Sequence, residues 1–385
     1  MKKSLVSNYI CTTLCFLVFI SNFTQLPIFH GNGLIKILLL VMWGMLLALL
    51  IINYIDILRI KFINLILLVL SFDILILVFQ IVTGNNYLTS DFIYPLHLSI
   101  FILFVSYFCG QVLNKECISK ISNYIIISCF IVTIVIYFNN FYGVAWANSL
   151  TYIYSAKNSI AQITLVSCVL LIFIPNCGFN KVIKLLILLF NFMFIIMLKS
   201  RATLIGIGIV TAYFIYLKFK KSRNKIVTIS LVVVILSYVI TSDFFENFII
   251  KKIILNNREN ADLNTLTSGR ADHLNYFFEN FNDVFWVGGG NVYLESLPLS
   301  ALMSYGIIAG LILILLAFIP AFYLIRYKKI NKLLPLRNIV IILFLSMISN
   351  GIFEQLAPFG PGVKCYTLWL FTGLYIGMLE KEFIK

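Results

Sequence analysis

Residues 181–217 read KVIKLLILLFNFMFIIMLKSRATLIGIGIVTAYFIYL, and the number of times this run crosses a membrane decides the fold. Its only polar interruption is Lys199-Ser200-Arg201. If that triplet is a turn, the run supplies two spans, near 182–198 and 201–217. If the two fuse, every later segment inverts. Charge decides for two. With the turn in place, both termini lie inside, and the loops of that side hold Lys2, Lys3, Arg59, Lys61, the cluster Lys218 to Lys225 and the cluster Arg326 to Arg337. Only nine of the 29 Lys and Arg fall outside, namely Lys36, Lys157, Lys199, Arg201, Lys251, Lys252, Arg258, Arg270 and Lys364. That bias follows the positive-inside rule through successive loops.

The rest of the chain is of the same kind. It is 61% hydrophobic and 11% charged, with a mean hydropathy of +1.00. Repeated apolar stretches of roughly 20 residues each predict a polytopic all-α membrane bundle of about twelve spans, forming a single integral membrane domain over residues 1–385. The spans are expected near 9–29, 34–54, 62–83, 92–113, 121–141, 159–175, 182–198, 201–217, 226–242, 299–325, 335–355 and 362–380. The first follows Met1-Lys2-Lys3 but has no small-residue cleavage site, so it reads as a retained span. The net charge of +14 orients the protein and does not point to nucleic acid.

One hydrophilic stretch is long: the outer loop at 243–297, which holds Asp243, Glu246, Glu259, Asp262, Asp272, Glu279, Asp283 and Glu295. Phe277, Phe278, Phe281, Phe285 and Trp286 are too many aromatics for a solvated tether. Leu274, Phe277, Phe278 and Phe281 recur at helical spacing, so Ala271 to Asn282 is expected as an amphipathic helix on the bundle or in the lipid interface, with Ser268-Gly269-Arg270 at its start. Val287-Gly288-Gly289-Gly290 then permits either a close backbone approach to a ligand or a tight turn.

Metal chemistry has no sequence signal. The eight cysteines are scattered without a CxxC and read as small buried hydrophobes. His30, His97 and His273 are unclustered, and only His273 lies in the acidic loop. Within the third span, Asp73 and Gln80 share one helix face, and a structural hydrogen-bonding role is expected ahead of a proton relay.

Arg201 and Arg270 stand out because each sits in a small polar setting on the side that otherwise keeps few basic residues. Arginine binds phosphate through a planar fork and stays charged. If Ser200 caps the span that follows, Arg201 lies in its first turn, where free N–H groups already favour an anion.

Lys199-Ser200-Arg201-Ala202-Thr203 opening a span, the loop with Ser268-Gly269-Arg270, the run Phe285-Trp286-Val287-Gly288-Gly289-Gly290 and Tyr305-Gly306-Ile307-Ile308-Ala309-Gly310 in the next span resemble the O-antigen ligase and polymerase superfamily. Ala156-Lys157-Asn158-Ser159-Ile160-Ala161 entering a span from outside fits the same pattern. The layout is similar to Wzy-type polymerases, which join oligosaccharide repeat units on a polyprenyl lipid. Ligases of the superfamily commonly place a His-Asn pair about three turns before the glycine matching Gly306. Here that stretch reads Leu294-Glu295-Ser296-Leu297-Pro298, with Glu295 roughly in the histidine's place.

The resemblance implies a glycosyltransferase of the bacterial cytoplasmic membrane, making capsule or O-antigen on the outer face. The expected site has Arg201 and Arg270 on the donor pyrophosphate and Glu295 as base, with Lys157, Asn158, Ser200, Ser268 and His273 binding substrate. Tyr142, Trp146, Tyr152, Tyr154, Tyr276 and Trp286 are candidate sugar-stacking faces. Transfer is expected to be inverting, with no metal or cofactor. The expected partners are the polyprenyl-pyrophosphate-linked oligosaccharide as donor and acceptor, membrane lipid, a chain-length regulator and a flippase. Two other classes fit the same span count: a lipid-linked oligosaccharide flippase or transporter, and a ligase. Against transport, no repeat of two related halves is visible.

Overall fold

In the computed structural model the described residues are 2–26, 28–29, 33–56, 58, 62–88, 90–140, 157–174, 178–221, 230, 237–238, 241–243, 245–254, 267, 269–327, 330–360 and 363–384. No strand occurs among them. The first eight helices are α1 (Lys2–Phe23), α2 (Gly33–Tyr54), α3 (Ile63–Thr83), α4 (Ile93–Val112), α5 (Lys115–Asn140), α6 (Lys157–Phe173), α7 (Lys181–Leu198) and α8 (Arg201–Lys221). Residues 181–217 are thus two helices, parted at Lys199-Ser200. After them come a loosely wound segment α9 (Phe245–Ile254), then α10 (Arg270–Asn280), α11 (Leu297–Ala317), α12 (Ile319–Arg326), α13 (Leu334–Gly351) and α14 (Val363–Ile384). Eight helices among the described residues are long and apolar enough to cross a membrane. Most of the span expected at 226–242 lies outside the described residues.

Large apolar side chains cover the outer faces of the peripheral helices, as a lipid-exposed surface requires. Met45 and Ile52 on α2, Leu67, Ile74 and Ile81 on α3, and Val182, Leu186 and Leu189 on α7 are all exposed. The centre belongs to α14, which is buried from Cys365 to Glu380. Small residues allow its approach to α4: a Cβ on Gly373 would lie 2.5 Å from the Leu103 carbonyl oxygen, and one on Gly377 would lie 2.1 Å from that of Tyr107. This is the Gly-x-x-x-Gly packing that lets membrane helices touch backbone to backbone. Asp73 joins α3 to α4: its Oδ2 lies 3.1 Å from His97 Nε2, while His97 Nδ1 donates to the Ile93 carbonyl at 2.7 Å. Gln80 Oε1 accepts from the Leu88 N–H at 3.2 Å.

The expected span at 299–325 is corrected by a break. Gly306 has φ 68° and ψ −175°, which no helix accommodates, so α11 is two limbs. The limbs fold together so sharply that a Cβ on Gly310 would lie 2.8 Å from the Ala301 carbonyl oxygen. Leu297 to Tyr305 is therefore a short limb folded back against the next. The longer limb begins at Ile307 and continues through the Phe318 kink to Arg326, since the Phe322 N–H still bonds the Phe318 carbonyl at 3.0 Å.

The glycine run repairs that break. An interrupted helix leaves backbone donors and acceptors unpaired, and burying them so costs about as much as a lost hydrogen bond each. Here the Ile307 N–H donates to the Phe285 carbonyl (2.8 Å), and Gly289 and Gly290 N–H donate to the carbonyls of Met303 (2.8 Å) and Ser304 (3.0 Å). Gly288 and Gly290 have positive φ, and a Cβ on Gly288 would sit 2.3 Å from the Ser304 oxygen. The backbone approach that the glycines permit is thus to another part of this chain. Tyr87 Oη, from the α3–α4 connection, donates to the Gly288 carbonyl at 2.9 Å, and Ser90 and Tyr305 share a hydroxyl bond beside it.

Candidate active site

Two residues, Lys199 and Ser200, reverse the chain between α7 and α8. Lys199 takes the left-handed conformation, φ 47° and ψ 37°, and is the only non-glycine with positive φ among the described residues. Holding a side chain there costs on the order of 1 kcal/mol, and such outliers gather at functional sites. The Ser200 carbonyl accepts the first α8 bond, from Leu204 N at 3.0 Å, so Ser200 does flank the helix. Its hydroxyl is committed elsewhere, donating to Asn158 Oδ1 at 2.9 Å and sharing a bond with Thr203 Oγ1 at 2.9 Å. Arg201, half-buried, is the first residue of α8.

Asn158 carries the connection onward. Its Nδ2 donates to Glu354 Oε1 at 2.6 Å, joining the start of α6 to the segment after α13. Phe353, next in the chain, accepts from Arg270 Nη2 at 3.2 Å, while Nη1 donates to the Thr267 carbonyl at 3.1 Å. The Arg270 guanidinium also lies 5.9 Å from the Phe353 ring centre, within cation–π reach. Arg270 is thereby fixed at the start of α10, where Gly269, at φ 87°, turns the chain into the helix.

Arg270 Nη2 lies 2.9 Å from Glu295 Oε2. The two are in ionic contact, yet neither Glu295 Oε2 nor Arg270 Nε has a hydrogen-bond partner, although both atoms are out of solvent. The contact is therefore off the N–H axis, and each atom has bonding capacity unused. The Glu295 N–H donates to His273 Nδ1 at 2.8 Å. That bond needs the Nδ1 lone pair, which assigns His273 as a neutral ring with its proton on Nε2. Arg270, His273 and Phe277 recur along one face of α10, and Phe277 is the buried member. Leu274 and Phe278, expected on the same stripe, are exposed, because the helix meets the bundle along a narrower edge than the apolar pattern covers.

The residues before α11 form an extended segment, with Leu294 and Ser296 buried and Tyr293 and Glu295 turned outward. It is pinned at Val292, whose carbonyl accepts from Ser300 Oγ (2.8 Å) and Ser304 Oγ (3.1 Å) and whose N–H donates to Ser304 Oγ (3.2 Å). The phenol of Tyr293 is raised above its usual pKa, first by burial, then by the Glu295 and Glu354 carboxylates, with Arg270 opposing and Asp91 adding to the rise.

Of the residues singled out from sequence, Arg270, His273 and Glu295 form one group and Asn158 and Ser200 another, joined through Phe353-Glu354. Ser268, the side chain of Lys157 and the aromatics Tyr142, Trp146, Tyr152 and Tyr154 lie outside the described residues. Tyr276 and Trp286 are exposed. Sequence reasoning missed Glu354 as a link and Tyr293 altogether. A signal existed: Asn158 with Gln162 and Asn350 with Glu354 are polar pairs at the ends of two apolar spans.

No curated protein matches the chain. A family model does: residues 186–308 match the one described as O-antigen ligase, a stretch that runs from α7 through Arg201, Arg270 and Glu295 to the break at Gly306. That match spans about a third of the chain, and over it the chain is similar to that family.

Proposed function

We propose that this protein polymerises oligosaccharide repeat units carried on polyprenyl pyrophosphate into a bacterial surface polysaccharide, at the outer face of the cytoplasmic membrane. The observation that carries the reading is the Arg270–Glu295 contact at 2.9 Å, beside the bonded chain Ser200–Asn158–Glu354 that leads to Arg201. A fixed cation for a leaving pyrophosphate and a carboxylate for an acceptor hydroxyl are what direct glycosyl transfer needs within one site.

In the proposed reaction Arg201 and Arg270 hold the donor pyrophosphate. Glu295 removes the proton from an acceptor hydroxyl, the oxygen bonds to the anomeric carbon, and the bond from that carbon to the pyrophosphate breaks. The electron pair departs with the lipid pyrophosphate, whose added charge the arginines stabilise. One displacement inverts the anomeric centre. A ligase that moves finished polymer to another acceptor uses the same chemistry, and the description of the matching family favours it as the second reading.

The test supplies purified protein with lipid-pyrophosphate repeat units alone. A ladder of products, lost in Arg201→Ala, supports polymerisation. Normal ladders from Arg201→Ala remove that residue from the mechanism. Substrate that crosses a vesicle membrane unchanged, with no ladder, replaces the reading with transport.

A further inference from the structure

Tyr293 is 58% exposed in a segment that is otherwise locked down. Val292 is held by Ser300 and Ser304, Leu294 is buried, and the Glu295 N–H is tied to His273. The His273 ring meets the Tyr293 ring at right angles, with centres 5.9 Å apart and planes at 83°, and leaves most of it exposed. A rigid aromatic left uncovered beside a reaction centre has no packing purpose. Its open face suits a flat, weakly polar surface such as the C–H face of a sugar ring.

The charges around it are unbalanced. Glu295, Glu354 and Asp91 all act on the Tyr293 phenol as negative charges, against the single positive charge of Arg270, and His273 is neutral by its bond from Glu295. Carboxylates near the phenol are acceptors for hydroxyl donors, and such bonds are charge-assisted. The same carboxylates repel any anion placed over the ring.

We infer that Tyr293 is the floor of the acceptor subsite, which binds the terminal sugar of the acceptor chain and selects a neutral or amino sugar over an acidic one. This rests on the glycosyl-transfer reading above. Donor and acceptor are thereby kept apart by charge: the pyrophosphate belongs on the arginine side, and the uncharged end of the acceptor lies among the carboxylates.

The experiment uses full-length protein and an acceptor repeat unit on a short alkyl chain without pyrophosphate, which can accept but cannot donate. Tyr293→Ala is expected to raise the acceptor KM about tenfold, the loss of one stacked ring, while Tyr293→Phe keeps it. The donor KM should not move in either variant. An acceptor ending in a uronic acid should be used about tenfold less well than its neutral counterpart, and Asp91→Asn should narrow that gap. An unchanged acceptor KM in Tyr293→Ala, or equal use of the acidic acceptor, overturns the proposal. If the wild-type protein forms no glycosidic bond but still binds the neutral oligosaccharide by saturation-transfer NMR, and Tyr293→Ala does not, the transfer reading fails while the sugar site stands.

Discussion

A Cβ on Gly306 would lie 2.4 Å from the carbonyl oxygen of Trp286, so the loop that carries the candidate site meets the membrane helix backbone to backbone. The φ and ψ of Gly306 fall in a region open almost only to glycine. Gly306→Ala is therefore expected to cost at least ~3 kcal/mol, combining backbone strain with a clash that no side chain can relieve. Gly288→Ala should behave alike. In Gly208→Ala, where nothing lies within 4 Å, stability should hold or rise by about 1 kcal/mol through helix propensity. Thermal denaturation in detergent separates the three.

Glu295→Gln keeps the shape of the side chain beside Arg270 and removes the base. Transfer should fall about 10²-fold to 10⁴-fold in kcat, the usual contribution of a positioned proton acceptor. Melting temperature should change little, because both partners are about a third exposed and such a pair is worth about 1 kcal/mol or less. A large loss of stability with kcat preserved would make the pair structural.

Asn158→Asp would set a second carboxylate where an amide now donates to Glu354 across 2.6 Å. Two carboxylates so close must share a proton, which raises the apparent pKa of the pair in the folded state. The sign follows: the variant should be near normal in acid, where the proton is held, and lose stability as pH rises through that raised value. Denaturation midpoints measured across pH should fall with rising pH in the variant, relative to wild type.

The raised titration of Tyr293 predicts a difference in alkaline absorbance. Burial is its first cause and Glu295 and Glu354 follow, so Glu295→Gln should let the phenolate form at lower pH. Arg270 opposes the shift, so Arg270→Gln should delay it. A phenol raised in the folded state favours folding below its unfolded pKa, and that contribution is lost as pH rises through the folded one. Difference spectra against Tyr293→Phe isolate the residue.

Much of this was legible beforehand, for a definite reason. Spans are set by apolar length, a local property of sequence. The parting of α7 and α8 at Lys199-Ser200 is an example. The break at Gly306 was not legible, because Leu299 to Ile325 carries no charge and a lipid-facing helix reads the same as a folded-back limb. The purpose of the glycine run was hidden with it, since glycine shows only that something comes close. In α10 the pattern gave the helix but not which edge it buries, because Leu274 and Phe278 are as apolar as the buried Phe277. Arg270 and Glu295 were both singled out, but their pairing depends on a loop path that spacing cannot supply.

The repair of α11 has a consequence for how such a protein diverges. Phe285, Gly289 and Gly290 hold the broken helix through main-chain atoms alone. Tolerance to substitution is therefore uneven along this loop: the exposed Tyr276 and Trp286 can change without touching those three bonds, whereas Glu295 also keeps its place through His273, which accepts from its N–H.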